Sequence, residues 1–168
     1  RRVISKFKPF QSKRVISFGL YGRHPKYTKG AIENVKLAGT YFPGWVCRFY
    51  HTSDVPRDVL SELQQRGAEL IKIPDGLGYV AGMFWRFLVA MDDSVDRYII
   101  RDSDSRLNAR DRLAIQEWIE SKKGIHSVRD HPNHKHSLGG GLWGGVKGAV
   151  PKHLMSAMST AGGNAGYG

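Results

Sequence analysis

The sequence predicts an α/β protein in which a mostly parallel central sheet is flanked by helices. Apolar, strand-like runs alternate with helical patterns of about 10 to 13 residues, a spacing that is typical of βαβ units. The 168 residues, of which 40% are hydrophobic, suit a single domain with a sizeable core. Residues 14–160 contain no linker and no internal repeat, so the domain is expected to extend over that range.

The first half of the chain predicts three strands separated by two helices. The strands are expected at 14–20, 45–50 and 69–73. The first helix is expected to begin at Thr28, a residue type that caps helices, and to end at Pro43–Gly44. Pro56 is expected to open the second helix and Gly67 to end it.

The second half begins with an unusual helical pattern. Residues 81–91 are apolar on every side except at Arg86, and a helix of that kind is normally buried. A fourth strand, a helix capped by Asn108, a fifth strand and a last short helix follow. The predicted limits are 95–101 for the fourth strand, 124–129 for the fifth and 151–158 for the last helix.

Asp102 and Asp104 stand where the fourth strand gives way to a loop. In an extended segment the two side chains share one face, so both can reach one ion. Carboxylate oxygens suit Mg²⁺ or Mn²⁺, and an ion held this way usually also contacts phosphate oxygens. The alternative is that these acids only form turns or cap the next helix.

The loops at one edge of the sheet are the expected ligand-binding site, because ligands of parallel sheets bind beyond the carboxyl ends of the strands. Three loops qualify by position, at 21–29, 51–54 and 102–108. Together with the acidic pair they indicate a phosphate-bearing substrate, and above all a sugar nucleotide.

Two arginines belong to the same region. Arg86 is expected to grip phosphate or ribose with its planar guanidinium, and the alternative is a structural ion pair at the helix edge. Arg101 is expected to point to the opposite face of the strand from Asp102. Pairing with an acid and contact with the ligand are both open for Arg101.

The segment 129–136 holds three of the seven histidines. It does not match a tetrahedral zinc site, because the one cysteine of the chain is remote in sequence. His131 or His134 is the candidate third ligand of a metal held by the two aspartates, and Asp130 is a candidate contact for sugar hydroxyls. A polar loop around the site is the simpler interpretation.

The segment 139–148 is rich in glycine. Gly140 and Gly141 would let the backbone approach a ligand closely. Trp143 offers a flat apolar face for a sugar ring, and Lys147 offers charge for phosphate. A flexible surface loop is the alternative, and the spacing of a Walker phosphate-binding loop is absent.

The net charge is +11, from 26 Lys and Arg against 15 Asp and Glu. Such an excess attracts nucleic acid, an anionic membrane surface or a phosphorylated substrate. Residues 1–13 are expected to form a basic arm, and residues 161–168 a flexible tail. The abrupt small-residue ending suggests one part of a longer polypeptide.

No stretch of the sequence reaches the roughly 18 to 20 apolar residues that a membrane span requires. Cys47 is the one cysteine, so the chain has no internal disulfide and fits a reducing compartment; a cytoplasmic location is expected. We expect Cys47 to be a small buried hydrophobe on a strand.

Three stretches resemble the GT-A glycosyltransferases, and among them the glycogenin-like and lipopolysaccharide galactosyltransferase-like group. The stretches are 27–34, 43–50 and 84–107. The Arg-Asp-x-Asp-Ser-Arg of 101–106 and the Arg-Asp-His-Pro of 129–132 are similar to motifs of bacterial, algal and viral glycosyltransferase-like domains. The resemblance covers about residues 14–150 and implies the Rossmann-like fold of nucleotide-diphospho-sugar transferases.

The resemblance also implies roles for matching positions. The loop after the first strand would hold the nucleotide, Arg86 would contact donor phosphate or ribose, and the acidic pair would bind Mn²⁺ or Mg²⁺ through the diphosphate. The implied donor-binding set is Leu20, Tyr21, Gly22, Tyr27, Arg86, Asp102, Ser103, Asp104, Gly140, Gly141, Trp143 and Lys147. The His-x-x-Gly-x-x-Lys motif that supplies a third metal ligand in the glycogenin-like group is missing, and no catalytic residue is assigned.

The predicted activity is therefore metal-dependent, hexosyl-type transfer from a UDP- or GDP-sugar to a glycan or another hydroxyl acceptor. One alternative is a nucleic-acid or polyanion binding module, which the charge suggests. The absence of an RNA-binding aromatic signature and of a DNA-reading motif argues against nucleic acid. The other alternative is a metal-dependent nucleotidyltransferase or phosphohydrolase.

Overall fold

A computed structural model describes residues 12–76, 82–129 and 140–154. Within these ranges six strands form one sheet in the order β3-β2-β1-β4-β6-β5. The strands are β1 Arg14–Leu20, β2 Trp45–His51, β3 Glu69–Lys72, β4 Arg97–Ile100, β5 Ile125–Ser127 and β6 Trp143–Val146. The α-helices are α1 Pro25–Tyr41, α2 Arg57–Gln65 and α3 Ala109–Ser121.

The sheet is mostly parallel. β1 to β4 run in one direction, and β6 is antiparallel to both of its neighbours, β4 and β5. β5 therefore runs with the first four strands, and the carboxyl ends of all five lie along one edge, called the carboxyl edge below. The predicted α/β class, with a mostly parallel sheet flanked by helices, is confirmed.

The two faces of the sheet have separate cores. Ile16, Phe18 and Leu20 of β1 point to one side, where they pack with buried residues of all three α-helices. Val15 points to the other side and belongs to a cluster that includes Trp85, Phe87 and Val89. The period-two alternation of β1 thus supplies both cores from one strand.

Cys47 of β2 lies in the first of these cores and is 4% exposed. Burial raises the pKa of its thiol to about 12. The prediction of a small buried side chain on a strand is confirmed.

The segment for which an α-helix is predicted over 81–91 is α-helical at residues 82–84 and continues as a 3-10 helix, Trp85–Met91. Trp85, Phe87 and Val89 are buried, whereas the preceding Met83 is 40% exposed. The hydroxyl of Ser17 in β1 donates to the main-chain oxygen of Arg86 at 2.6 Å, which ties this segment to the sheet. Bulky aromatic and β-branched residues have low helix propensity, so packing on the sheet decides the local conformation.

β6 occupies the glycine-rich segment, for which a ligand-contacting loop was predicted. A Cβ atom at Gly144 would lie 2.5 Å from the main-chain oxygen of Tyr98, and one at Gly145 would lie 2.5 Å from the Tyr98 hydroxyl. These glycines therefore permit close packing against β4. Trp143 is 2% exposed and packs against Phe87 and Tyr98, so the prediction that it offers a face to a sugar is wrong.

The start of α1 also differs from the expected one. α1 begins at Pro25 instead of Thr28, and His24 caps it by accepting a hydrogen bond from the Lys26 amide at 3.1 Å. Proline suits the first helical position because its missing N–H has no partner there anyway. The predicted cap of α3 is confirmed, since Asn108 accepts from the Asp111 amide at 3.0 Å.

The predicted arm and tail lie outside the described residues, apart from residues 12 and 13. Lys13 is hydrogen-bonded to the domain, where its amide donates to the Asp96 carboxylate at 2.7 Å. The last predicted helix is described only at 152–154. None of the helices in the described ranges has the length and apolar character needed to cross a membrane.

Candidate active site

The acidic pair lies on a turn that α1 holds in place. The Ser105 amide donates to the Asp102 main-chain oxygen at 3.2 Å and so closes the turn directly after β4. Asn34 of α1 is 1% exposed, and its Nδ2 donates to the carbonyls of Ser103 at 3.3 Å and Ser105 at 2.8 Å. Its Oδ1 accepts from the Leu107 amide at 3.0 Å. One buried side chain therefore fixes the position of the whole turn.

Gly30 allows α1 to come this close. A Cβ atom at Gly30 would lie 2.1 Å from the main-chain oxygen of Ser103. Glycine and asparagine are both poor helix formers. Their spacing of four residues, on the inward face of a helix, is the sequence signal that could have located this contact.

Each acid of the pair contacts a cation from a different element. Asp102 Oδ1 accepts from Arg86 Nη1 of the 3-10 helix. Asp104 Oδ2 lies 2.7 Å from Lys26 Nζ in the first turn of α1. Because these acids lie on a turn, the prediction that they share one face of an extended segment is wrong, although both side chains still line one cavity.

That cavity, called the first cavity below, opens at the carboxyl edge and has a volume of about 290 Å³. Tyr21 and Tyr27 contribute aromatic rings whose centroids are 6.4 Å apart and whose planes differ by 28°. The lining residues are Gly19, Tyr21, Tyr27, Met83, Arg86, Asp102, Ser103 and Asp104. Six residues of the donor-binding set implied by the sequence are therefore together in one place.

Gly140 and Gly141 lie directly against the Arg86–Asp102 ion pair. A Cβ atom at Gly141 would be 2.0 Å from Asp102 Oδ2, and one at Gly140 would be 3.1 Å from Arg86 Nη2. The expectation that these glycines permit a close approach fits the geometry, but what they approach is the charged pair itself.

The structure places three other members of the implied set elsewhere. Leu20 is fully buried in the core under α1, so its side chain cannot contact a donor. Gly22 lies in the loop after β1 with a φ of +74° and is not among the lining residues. Trp143 is buried against Phe87 and Tyr98.

The prediction that Lys147 offers charge for phosphate is wrong. β6 runs antiparallel to β4 and so leads away from the carboxyl edge, which puts Lys147 about 13 Å from Trp143 at the strand's rise per residue. At the opposite edge its amide donates to the Asp96 carbonyl at 2.9 Å, and its ammonium donates to the Asp93 carbonyl. Lys147 therefore cannot contact a phosphate that is held by the acidic pair.

Arg101 pairs with an acid, which was one of its two open interpretations. Its Nε donates to Asp111 Oδ2 at 3.0 Å and its Nη2 to Asp111 Oδ1 at 2.6 Å. Its Nη1 donates to the Ile100 carbonyl at 2.7 Å. With 3% exposure, Arg101 joins β4 to the start of α3.

The candidate residues Asp130, His131 and His134 lie outside the described residues. Within the described ranges, no cluster of three or more His, Cys, Asp and Glu side chains could hold a metal. Asp102 and Asp104 nevertheless fit a hard divalent cation. Such ions are commonly held by one or two carboxylates, with substrate phosphates and water completing the shell. The side chains of the two acids are 41% and 27% exposed and thus accessible.

The sequence interpretation missed Lys26, which does not line the first cavity but forms an ion pair with Asp104, an acid that does. The cap expected at Thr28 left Lys26 in a loop, whereas the true start at Pro25 puts it in the first helical turn, beside Asp104. Proline favours the first position of a helix, so a helix start at Pro25 would have placed Lys26 in the first turn.

The comparison with known proteins gives a likeness in fold. No protein-family model matches the chain, and no curated protein matches it. Among solved structures, a mannosyltransferase from Pyrobaculum calidifontis in complex with GDP-Man and Mn²⁺ superposes with a TM-score of 0.57 and 12% identity. The chain has a glycosyltransferase-like fold.

The similarity covers 89% of this chain and 47% of the mannosyltransferase, so the chain spans about half the length of that protein. Within this glycosyltransferase-like fold, the acidic turn after β4 and the loop after β1 form the described cavity.

Proposed function

We propose that the chain binds a nucleoside-diphosphate sugar in the first cavity and transfers the sugar to an acceptor hydroxyl. The proposal depends on one observation: Asp102, Asp104 and Arg86 line one cavity together with two tyrosine rings, and Lys26 pairs with Asp104. The likeness in fold to a mannosyltransferase solved with GDP-Man and Mn²⁺ supports it.

The residues of the first cavity suit the parts of such a donor. Tyr21 and Tyr27 offer aromatic faces for the base or the ribose. The Arg86 and Lys26 side chains suit the diphosphate, because charge-assisted hydrogen bonds to phosphate are strong. The Nε of Arg86 is buried and has no hydrogen-bond partner among the described residues, so the guanidinium has a donor to spare for a ligand.

Asp102 and Asp104 would hold Mn²⁺ or Mg²⁺. When bound, such an ion neutralises charge on the diphosphate and so assists its departure. Donor binding would exchange the partners within the site: Arg86 and Lys26 leave the carboxylates for phosphate oxygens, and the carboxylates become available to the cation. Both carboxylates are accessible to solvent, and Lys26 is exposed, so they can part at low cost; the mostly buried Arg86 would exchange Asp102 for a phosphate oxygen and so keep a partner of opposite charge.

The transfer itself replaces one bond to the anomeric carbon. A bond forms between the acceptor oxygen and the anomeric carbon, and the bond from that carbon to the diphosphate oxygen breaks. The diphosphate leaves with the bonding electrons, and the acceptor's proton is lost to solvent. Arg86 and Lys26 stabilise the negative charge that develops on the diphosphate, which is the kind of electrostatic assistance that lowers barriers most.

A ligand-dependent unfolding experiment tests the donor site. We expect GDP or UDP to raise the unfolding temperature of the chain only when Mn²⁺ or Mg²⁺ is present, since a ligand at 100 times its Kd adds roughly 2.7 kcal/mol to the stability. Asp102→Asn and Asp104→Asn should abolish the shift. Asp93→Asn is the matched control, because Asp93 is an exposed, ion-paired acid away from the site. An undiminished shift in Asp102→Asn would refute the metal role.

Product analysis separates the competing activities. Incubation with GDP- and UDP-sugars and Mn²⁺ should yield a glycoside and free nucleoside diphosphate, and the better donor identifies the base. Release of sugar phosphate or nucleoside monophosphate would instead favour a nucleotidyltransferase or phosphohydrolase. Metal-independent binding of polyanions with a steep salt dependence would favour the binding module. Membership of the glycogenin-like group stays a prediction that the donor preference and the product's anomeric configuration would sharpen.

A further inference from the structure

A second cavity, of about 440 Å³, adjoins the first at Asp102. Among the residues that the structure describes, Asp102 alone lines both cavities. The contact between Gly141 and the Asp102 carboxylate places this carboxylate at the boundary, because Gly141 lines the second cavity and leaves no room for a side chain there. A molecule in the second cavity would therefore lie beside the diphosphate site without occupying it.

The wall of the second cavity is partly apolar. Leu107, Ala114, Val128 and Leu142 contribute to it, from the loop after β4, from α3 and from the segments next to β5 and β6. An apolar wall of this kind suits the face of a sugar ring or a similar small organic group.

In the second cavity the acids have partners of opposite charge, whereas Arg106 has none among the described residues. Its two acids, Asp102 and Asp111, are already held by Arg86 and Arg101. Arg106 forms no salt bridge within the described ranges, and its Nη1 donates only to the carbonyls of Ser103 and Ser105, at 3.5 and 3.2 Å. Arg106 therefore brings a positive charge to the cavity that no acid of the wall offsets.

Arg110 adds a second positive charge to this rim. It stands in the first turn of α3, is exposed, and lines the same cavity as Arg106. Guanidinium groups bind phosphate and carboxylate in a planar, two-pronged geometry, so two arginines at one rim select for anionic ligands.

We infer that the second cavity receives the acceptor and that the acceptor carries a phosphate or carboxylate group, which Arg106 and Arg110 bind. The inference rests on the proposed function, since it needs a donor in the first cavity. The anionic group at the rim and the ring against the apolar wall would direct the acceptor's hydroxyl towards Asp102, where the anomeric carbon of the donor would lie. The net charge of +11 would steer such an acceptor to the protein.

The test compares matched acceptors by isothermal titration and by transfer assay. The probes are methyl glucoside, which is neutral, methyl glucuronide, which has a carboxylate, and glucose 6-phosphate, which has a phosphate. We expect the anionic probes to bind at least about 10-fold more tightly than methyl glucoside to the wild-type chain. This preference should weaken by about 10-fold in Arg110→Gln and in Arg106→Gln, and persist in Arg112→Gln, an exposed α3 arginine that does not line the cavity.

Arg110→Gln is the deciding variant, because Arg106 also touches the carbonyls of the acidic turn. Equal binding of neutral and anionic probes, no measurable binding of the anionic probes, or a preference that survives in Arg110→Gln would overturn the inference. The metal-dependent shift with GDP or UDP is measured on the same samples. If that shift is present and the anion preference is absent, the inference fails while the proposed function stands. If the shift is absent, the proposed function fails, whatever the acceptor probes show.

Discussion

Residues 101 and 102 are adjacent in the chain, yet their ion pairs are built differently. Arg101 and Asp111 are 4% and 14% exposed in their side chains, and both carboxylate oxygens accept hydrogen bonds from the guanidinium. Arg86 and Asp102 are 12% and 41% exposed, and they share a single contact. Directly after β4, Arg101 turns towards α3 and Asp102 towards the first cavity. The closed pair joins two elements of the fold, whereas the open pair is the one for which we propose a change of partners.

The largest effect on stability is expected from Asp111→Ala. This change leaves the buried guanidinium of Arg101 without its counter-charge, and breaking one side of a buried pair typically costs about 3 to 5 kcal/mol. Urea denaturation measures the loss. The double variant Arg101→Met/Asp111→Leu should recover much of it, because two apolar side chains leave no unpaired charge. A loss below about 1 kcal/mol in Asp111→Ala would mean that the closed pair is not structural.

A second, smaller loss is expected where α1 supports the turn of the open pair. In Gly30→Ala the new methyl group would overlap the Ser103 carbonyl, and overpacking of this kind costs about 1 to 3 kcal/mol. Gly39→Ala is the matched control on the same helix. A Cβ atom at Gly39 meets nothing within 4 Å, so this change should stabilise the chain by up to about 1 kcal/mol. Equal effects of the two substitutions would show that α1 does not press on the turn.

A third pair, Arg48–Asp92, lies between the other two in exposure, with side chains 5% and 32% exposed. Burial raises the pKa of Asp92, but hydrogen bonds from Ser94 and Arg48 outweigh burial and lower this pKa to about 2. The folded pKa is therefore below the ordinary value of 3.8, and the stability it contributes is present above about pH 4.

We expect this contribution to be lost as the pH falls from about 4 to about 2. Its size should be about 1 kcal/mol, because solvent reaches part of the carboxylate. Denaturation curves of the wild type and of Asp92→Asn over that pH range measure it as a difference. Parallel pH dependences of the two proteins would show that the hydrogen bonds from Ser94 and Arg48 do not favour the ionised form of Asp92.

The smallest effect on stability is expected from Asp102→Asn. An accessible pair with one contact contributes little, so the free energy of unfolding should change by less than about 1 kcal/mol. Urea denaturation under the conditions used for Asp111→Ala compares the losses in the free energy of unfolding of the two variants directly. A loss as large as that of Asp111→Ala would mean that the Arg86–Asp102 contact is part of the fold, and that it cannot open for a ligand.

The sequence was most informative where local patterns have one structural solution. Alternating apolar runs predicted the first four strands, and the rule that ligands bind beyond parallel strands predicted which loops lie together. The caps at Asn108 and Gly67 follow from backbone chemistry within a few residues. The strand order could not be predicted, because it depends on contacts between segments that are distant in sequence.

The glycine-rich segment was misinterpreted for a physical reason. Glycine permits both a loose loop and a strand pressed against a neighbour, and only the Tyr98 side chain across the sheet distinguishes the two at Gly145. The same ambiguity misplaced Trp143 and Lys147, since a loop would leave both near the ligand whereas an antiparallel strand buries one and removes the other. Arg86 lines the first cavity, and it forms an ion pair, which was the alternative that the sequence left open for it. Which acid is the partner could not be predicted from the sequence.

Cys47 has a practical consequence for all of these measurements. As the one sulfhydryl of the chain, inaccessible within β2 and with its ionisation suppressed, it is closed to thiol-specific dyes while the sheet is intact. Labelling can begin only when β2 separates from its neighbours, so the rate of dye incorporation counts opening events in real time. The rate of Cys47 labelling therefore reports how often the sheet opens in the native chain, and the same rate can be measured for each variant without adding another reporter group.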